Sequence, residues 1–206
     1  MSTFHPTYFS TIFQYALMQH TDRLVFEVHD NFQKQTYRNR CYIYGANGKQ
    51  LLNIPIHKVT GKQLYRDIKI DYSSNWQAEH LKTLYSAYNS SPFFEFYIDD
   101  LKEIFHTKEM FLIDLNIKTF QKMNELLQES VLFEKTKLFS KEFVNDFRFL
   151  VNAKNKEEIT LPKYTQVFSE KHGFMHNLSM LDLLFMEGPA SSIYLKKVIA
   201  NYPKNY

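Results

Sequence analysis

Residues 39–56 read NRCYIYGANGKQLLNIPI, two β-rich runs on either side of Asn47-Gly48. Asn-Gly is the favoured pair for a two-residue type I′ hairpin turn, because both central positions of that turn need positive φ. A turn centred there sets Tyr44 opposite Leu51, Tyr42 opposite Asn53 and Arg40 opposite Pro55. Side chains alternate between the two faces of a strand. Cys41, Ile43, Leu52, Ile54 and Ile56 therefore share one side, and Arg40, Tyr42 and Asn53 share the other. The first side is core. The second carries a guanidinium, a phenol and an amide together, which is either a binding surface or an ordinary wetted face.

The pattern on either side of the hairpin is mixed. Upstream, Phe9, Ile12, Phe13 and Ala16 recur at helical spacing and predict a helix over 9–19. LVFEV at 24–28 follows as a short strand run closed by the turn formers His29-Asp30-Asn31. Downstream, LYRDIKIDY at 64–72 alternates imperfectly and predicts one more strand. The period then becomes helical. Ser74 is placed to cap a helix through Trp76, His80, Leu81, Leu84 and Tyr88, and Ser91-Pro92 to open the next, through Phe93, Phe96, Tyr97, Leu101 and Phe105. Leu112, Leu115, Phe120, Met123, Leu126 and Leu127 line a third helix over 112–129.

Residues 131–133 are strand-like, FRFLV at 147–151 has no clear period, and NAKNKEE at 152–158 reads as a surface loop. NLSMLDLLFMEGP at 177–189 is apolar on every side of the helical wheel and stops at Gly188-Pro189. A last helix spans 192–201. The expected fold is mixed α/β: an N-terminal sheet with the hairpin at 39–56, a helical second half folded over it, and one domain over 1–206.

Composition narrows the function classes. The 206 residues are 44% hydrophobic, 17% aromatic and 23% charged, which excludes a disordered chain. With 25 basic against 22 acidic residues the net charge is +3, and no run of basic residues marks a nucleic-acid partner. One cysteine allows no internal disulfide and no zinc site built on several thiolates. The N-terminus MSTFHPTYFS has no leader pattern, and the longest apolar stretch is far too short to span a membrane. A cytoplasmic protein without a metal or other cofactor is expected.

Five of the basic residues are arginine, and Arg38 and Arg40 flank Asn39. A planar guanidinium grips carboxylates and phosphates bidentately, so this trio can clamp an anion or pair with surface acids on a wet strand edge. His172 and His176 have the spacing of two helical metal ligands, but Gly173 breaks the helix and no third ligand is nearby. Cys41 falls on the apolar face, where a thiol is inert. Trp76, Tyr88, Phe93, Phe94, Phe96 and Tyr97 suit core packing better than sugar stacking. Asp182 and Ser179 lie three residues apart on the apolar helix. A buried carboxylate needs a partner, whether an amide, a histidine or an arginine.

These residues, taken in order, resemble the WbqC-like family, bacterial proteins whose genes occur in O-antigen and capsule loci. The resemblance runs through His5-Pro6-Thr7-Tyr8, Asp30, Lys34, Tyr37-Arg38-Asn39-Arg40, Asn47-Gly48 and Asn53-Ile54-Pro55-Ile56. It continues through Trp76, His80, Leu81, Tyr88, Pro92, Phe93 and Tyr97. It ends on Tyr164, Gln166, Phe168, Gly173-Phe174, Asn177-Leu178-Ser179, Leu181 to Phe185 and Gly188-Pro189, covering 4–100 and 162–190. The chain departs from the family pattern in four places, one of them a first strand cut to a few residues. Proline follows His5 without an intervening glutamine, Phe9-Ser10 stands where Pro-Trp is usual, and no glycine-rich loop occurs between 130 and 161.

The resemblance implies a setting in surface-polysaccharide biosynthesis and a small-molecule substrate, a sugar or nucleotide sugar with an acyl donor. Acyl or aminoacyl transfer to a sugar amine is the first reaction it points to. In that reading His5 is the base and Asp182 orients it or an arginine. Tyr8, Asp30, Lys34, Arg38, Asn39, Arg40, Asn53 and Ser179 bind substrate. The alternative is a non-catalytic accessory or ligand-binding protein of a glycan assembly pathway.

Overall fold

A computed structural model of the chain describes residues 1–141, 143–154 and 159–202. Strand β1 (Ser2–Phe4) leads through a loop to helix α1 (Ile12–Gln19) and strand β2 (Leu24–Phe26). The Thr11 hydroxyl caps α1 by accepting the Gln14 N–H. Both strands are buried along their length, the pattern of parallel strands covered on two faces. The chain then makes a long excursion: β3 (Arg40–Gly45), β4 (Gly48–Asn53), α2 (Trp76–Tyr88), α3 (Phe94–His106) and α4 (Leu112–Leu126). Strands β5 (Phe133–Lys135) and β6 (Asn145–Asp146) return to the sheet, and α5 (Ser169–His172, a single turn), α6 (Met180–Glu187) and α7 (Ser191–Ala200) close the described chain.

The four short strands form one parallel sheet in the order β5-β2-β1-β6. Phe120 of α4 meets Phe26 at 5.3 Å, Phe133 at 5.9 Å and Tyr15 at 5.7 Å, so α4 and α1 cover the sheet together. All strands run the same way, so the residues that leave them gather at one edge: His5 after β1, Glu27 after β2, Thr136 after β5 and Arg148 just past β6. In open parallel sheets, ligands bind in the crevice outside the carboxyl ends of the strands.

Strands β3 and β4 form the expected hairpin, with a register shifted by two residues. Arg40 pairs with Asn53, Tyr42 with Leu51 and Gly45 with Gly48, which leaves Ala46 and Asn47 at the tip. Gly48 alone takes a positive φ, 102°, so the two positive angles of a type I′ turn are not met. A shift of two preserves the faces. Cys41, Ile43, Leu52 and Ile54 are accordingly buried, while Arg40, Tyr42 and Asn53 keep some exposure.

Other elements differ from expectation. Residues 64–72 form no strand; they make a 3-10 turn at Tyr65–Asp67 and then isolated bridges from Ile70 to Ile56 and from Lys69 to Phe111. Tyr65 turns inward there and donates to the Pro6 carbonyl at 2.7 Å. Asn75, not Ser74, precedes α2, and no side chain caps it. Helix α3 begins two residues beyond Pro92. Strand β6, two residues long, has no sequence pattern to announce it. Of the predicted loop at 152–158, residues 155–158 lie outside the described residues. Among the aromatics, Trp76, Tyr88 and Phe94 are core, whereas Phe96 is 74% exposed.

Candidate functional site

At the carboxyl edge of the sheet, His5 is buried and held at both ring nitrogens. Its Nδ1 lies 3.1 Å from the Glu27 carbonyl oxygen and its Nε2 lies 3.2 Å from Asp30 Oδ2. A neutral ring carries one N–H, so it donates to one of these two oxygens at a time, and donation from Nε2 is the tautomer that keeps Asp30 ionised. Burial, followed by the Arg38 charge, pushes His5 down to about 4. The hydrogen bond from His5 in turn holds Asp30 below the usual carboxylate range. The Asn31 N–H adds a 2.7 Å bond to Asp30 Oδ1.

Arg38 completes this constellation from the loop before β3. Its guanidinium is fully buried, with Nη2 3.6 Å from Asp30 Oδ2 and the group stacked 5.1 Å over the Tyr65 ring. Burial lowers its pKa. Asn116 of α4 fixes the frame by donating to the Arg38 carbonyl at 2.6 Å and to the Tyr65 oxygen at 2.5 Å. Arg38 Nε and Nη1, Glu27 Oε2 and Asn116 Oδ1 are buried without a protein hydrogen-bond partner. Such groups are costly to leave unpaired, and they concentrate polar capacity at this edge. Of the central trio, Asp30 alone reaches solvent, its side chain 21% exposed against 1% each for His5 and Arg38.

Three of these participants were not singled out in the sequence. Glu27 lies inside the apolar run LVFEV, and Asn116 sits on the buried face of α4; a polar residue at an apolar position is the trace each leaves. Arg148, bidentate on Asp146 at 2.9 and 2.7 Å, also feels the charges of Asp30 and Glu27. Its trace is the scarcity of arginine itself.

The remaining predicted residues fall elsewhere. Lys34, Asn39, Arg40 and Asn53 line an open groove of about 350 Å³ beside the hairpin. Asn39 donates to Asn53 Oδ1 at 3.2 Å and to the Ile54 carbonyl at 3.1 Å. Tyr8 is buried and bonds His80 Nδ1 at 3.1 Å. Ser179 caps α6 and donates to the Phe9 carbonyl at 2.8 Å, where residues 9–12 meet 178–180.

Asp182 does not orient His5 or any arginine. Its carboxylate accepts from Tyr88 at 2.6 Å, from Tyr164, and from Gln166 at 3.1 Å. Burial raises its pKa, opposed by those three donors. The acid that serves His5 is Asp30, so the expected partnership between the two ends of the chain is replaced by one inside the first forty residues. His172 and His176 go to separate backbone partners, Ala46 O at 3.0 Å and Leu161 N at 2.9 Å. Burial pushes the Cys41 thiol well up, away from reactivity. Among the described residues no three His, Cys, Asp or Glu side chains group to hold a metal, and no helix is long and apolar enough to cross a membrane.

A model of the WbqC-like protein family matches residues 5–148, which include His5, Asp30, Arg38, the groove and Arg148. Neither a curated protein nor a solved structure matches the chain at a significant level.

Proposed function

The chain belongs to the WbqC-like protein family, and from that premise we propose that it is an enzyme of surface-polysaccharide biosynthesis that transfers an acyl or aminoacyl group to a sugar amine. The observation that carries the reading is Asp30, a solvent-reaching carboxylate backed by a buried imidazole and a buried guanidinium at the carboxyl edge of a parallel sheet. His5 is then a positioning residue and Asp30 the group that meets substrate. The sugar amine bonds to Asp30, its nitrogen attacks the carbonyl carbon of an activated donor such as a thioester, and the N–C bond forms. The C–S bond breaks, the thiolate leaves with its electron pair, and the ammonium proton passes to the carboxylate.

The test is incubation with amino-sugar nucleotides and a panel of acyl and aminoacyl thioesters, read by mass spectrometry. Asp30→Asn keeps the shape and removes the proton acceptor, so it should lose at least ~10²-fold in rate. Undiminished turnover in that variant would remove Asp30 from the mechanism.

One observation favours a second reading, a non-catalytic ligand-binding protein of the same pathway: both ring nitrogens of His5 are engaged and its side chain is sealed from solvent. Ligand binding without turnover of any donor would decide for it.

A further inference from the structure

The groove beside the hairpin has a wall chemistry that the reading above does not use. Lys34, Arg40 and Lys58 line it with His57, and no Asp or Glu does. Among the described residues, no side chain of these three cations is in an ion pair or hydrogen bond, whereas Arg23, Arg38, Lys118, Lys122 and Arg148 are paired with acids. Phe32, Ile56 and Val59 supply an apolar wall, and Phe32 is half-buried, its ring 6.3 Å from Tyr65 on the inner side. Gln35, Asn39 and Asn53 supply amides. Asn39 is more than nine-tenths buried, its Nδ2 pinned to β4 and the residue after it, and its Oδ1 has no protein partner; neither has Arg40 Nε.

Uncompensated cations call for an anion, and three of them plus a histidine exceed what one carboxylate needs. A flat aromatic beside amide edges suits a planar heterocycle, which stacks and hydrogen-bonds at once. A volume of about 350 Å³ fits a small molecule at the compact end of the usual range. A polymer would need a basic track beyond the groove, and the whole chain carries only +3.

We propose that this groove binds a nucleoside diphosphate, with the phosphates on Lys34, Arg40 and Lys58 and the base against Phe32. The inference deepens the transfer reading and rests on it only for the sugar attached to the diphosphate. The segment 30–40 carries Asp30 together with Lys34 and Arg40, so it links a bound nucleotide to the carboxyl edge.

The test is calorimetric titration of the full chain with uridine diphosphate, adenosine diphosphate, pyrophosphate and uridine. At least one nucleoside diphosphate should bind at least ~10-fold more tightly than pyrophosphate or uridine. Arg40→Ala and Lys34→Ala should each weaken it by ~10-fold or more, and Phe32→Ala should weaken the nucleotide while leaving pyrophosphate unchanged. Lys62→Ala, which removes the same charge at an exposed position outside the groove, should bind as wild type does. Four results would overturn the proposal: no binding at millimolar nucleotide, pyrophosphate binding as tightly as the tighter of the two nucleotides, equal loss in Lys62→Ala, or a single-stranded oligonucleotide displacing the nucleotide at lower concentration. Circular dichroism of each variant separates lost binding from lost fold. Nucleotide binding without transfer would count against the catalytic reading and leave this one standing.

Discussion

Replacing His80 with glutamine tests the acid lability that burial builds into this fold. The hydrogen bonds of His80 suit a neutral ring. Nε2–H donates to the Asn53 carbonyl at 3.1 Å, and Nδ1 accepts from the Tyr8 hydroxyl at 3.1 Å. Burial pushes the imidazole from 6.5 down to about 4. In the unfolded chain it takes up its proton near 6.5; in the folded chain it resists until about 4. Between those values the unfolded state holds more protons, so stability is complete above 6.5 and falls as the pH drops. At ~1.4 kcal/mol per pH unit, the loss from this histidine is about 2 kcal/mol by pH 5 and about 3 kcal/mol by pH 4. Urea unfolding of wild type and His80→Gln at pH 7.5, 6 and 5 measures it. The variant starts less stable, because it loses ring contacts with Trp76 and Tyr8, and its stability should fall less steeply with acid by that amount. His5 stays in both proteins and cancels in the comparison. Parallel curves for the two proteins would refute the assignment of a neutral, buried His80.

Two further substitutions probe the C-terminal helices. Tyr88→Phe removes the 2.6 Å donor from the buried Asp182 carboxylate and leaves the Tyr44 N–H without its acceptor, so chemical denaturation should show a loss of about 1.5–3 kcal/mol, greater at pH 8 than under acid where Asp182 protonates. Gly188→Ala places a Cβ 2.5 Å from the Phe93 ring at a φ of 51°, and thermal unfolding should report about 2–4 kcal/mol of destabilisation.

What the residues disclosed in advance depended on how local the physics was. The hairpin was legible because alternation and Asn47-Gly48 act within eighteen residues, and even the two-residue register error left the faces right. Helices α3, α4, α6 and α7 were legible from apolar periodicity. The parallel sheet was not, since β5 and β6 are two or three residues long and their partners lie more than a hundred positions earlier. The same limit governed the site. That Asp182 needed a partner followed from its helix, but nothing in the sequence could choose between a distant arginine and the phenols of Tyr88 and Tyr164. His5, Asp30 and Arg38 were named as candidates, yet their order was inverted: the histidine is sealed behind the aspartate, because β1 ends just before it in the middle of the sheet.

The position of β1 and β2 at the centre of that sheet bears on how the protein is made. Both leave the ribosome early, but their outer neighbours are encoded at 133–135 and 145–146. At 5–20 residues per second, the 119 positions from 26 to 145 take about 6–24 s to synthesise. For most of that interval, until β5 is made, the nascent pair exposes two unpaired edges of residues that include Phe, Leu and Val, which is the kind of surface that chaperones shield and that stalled or truncated chains use to aggregate.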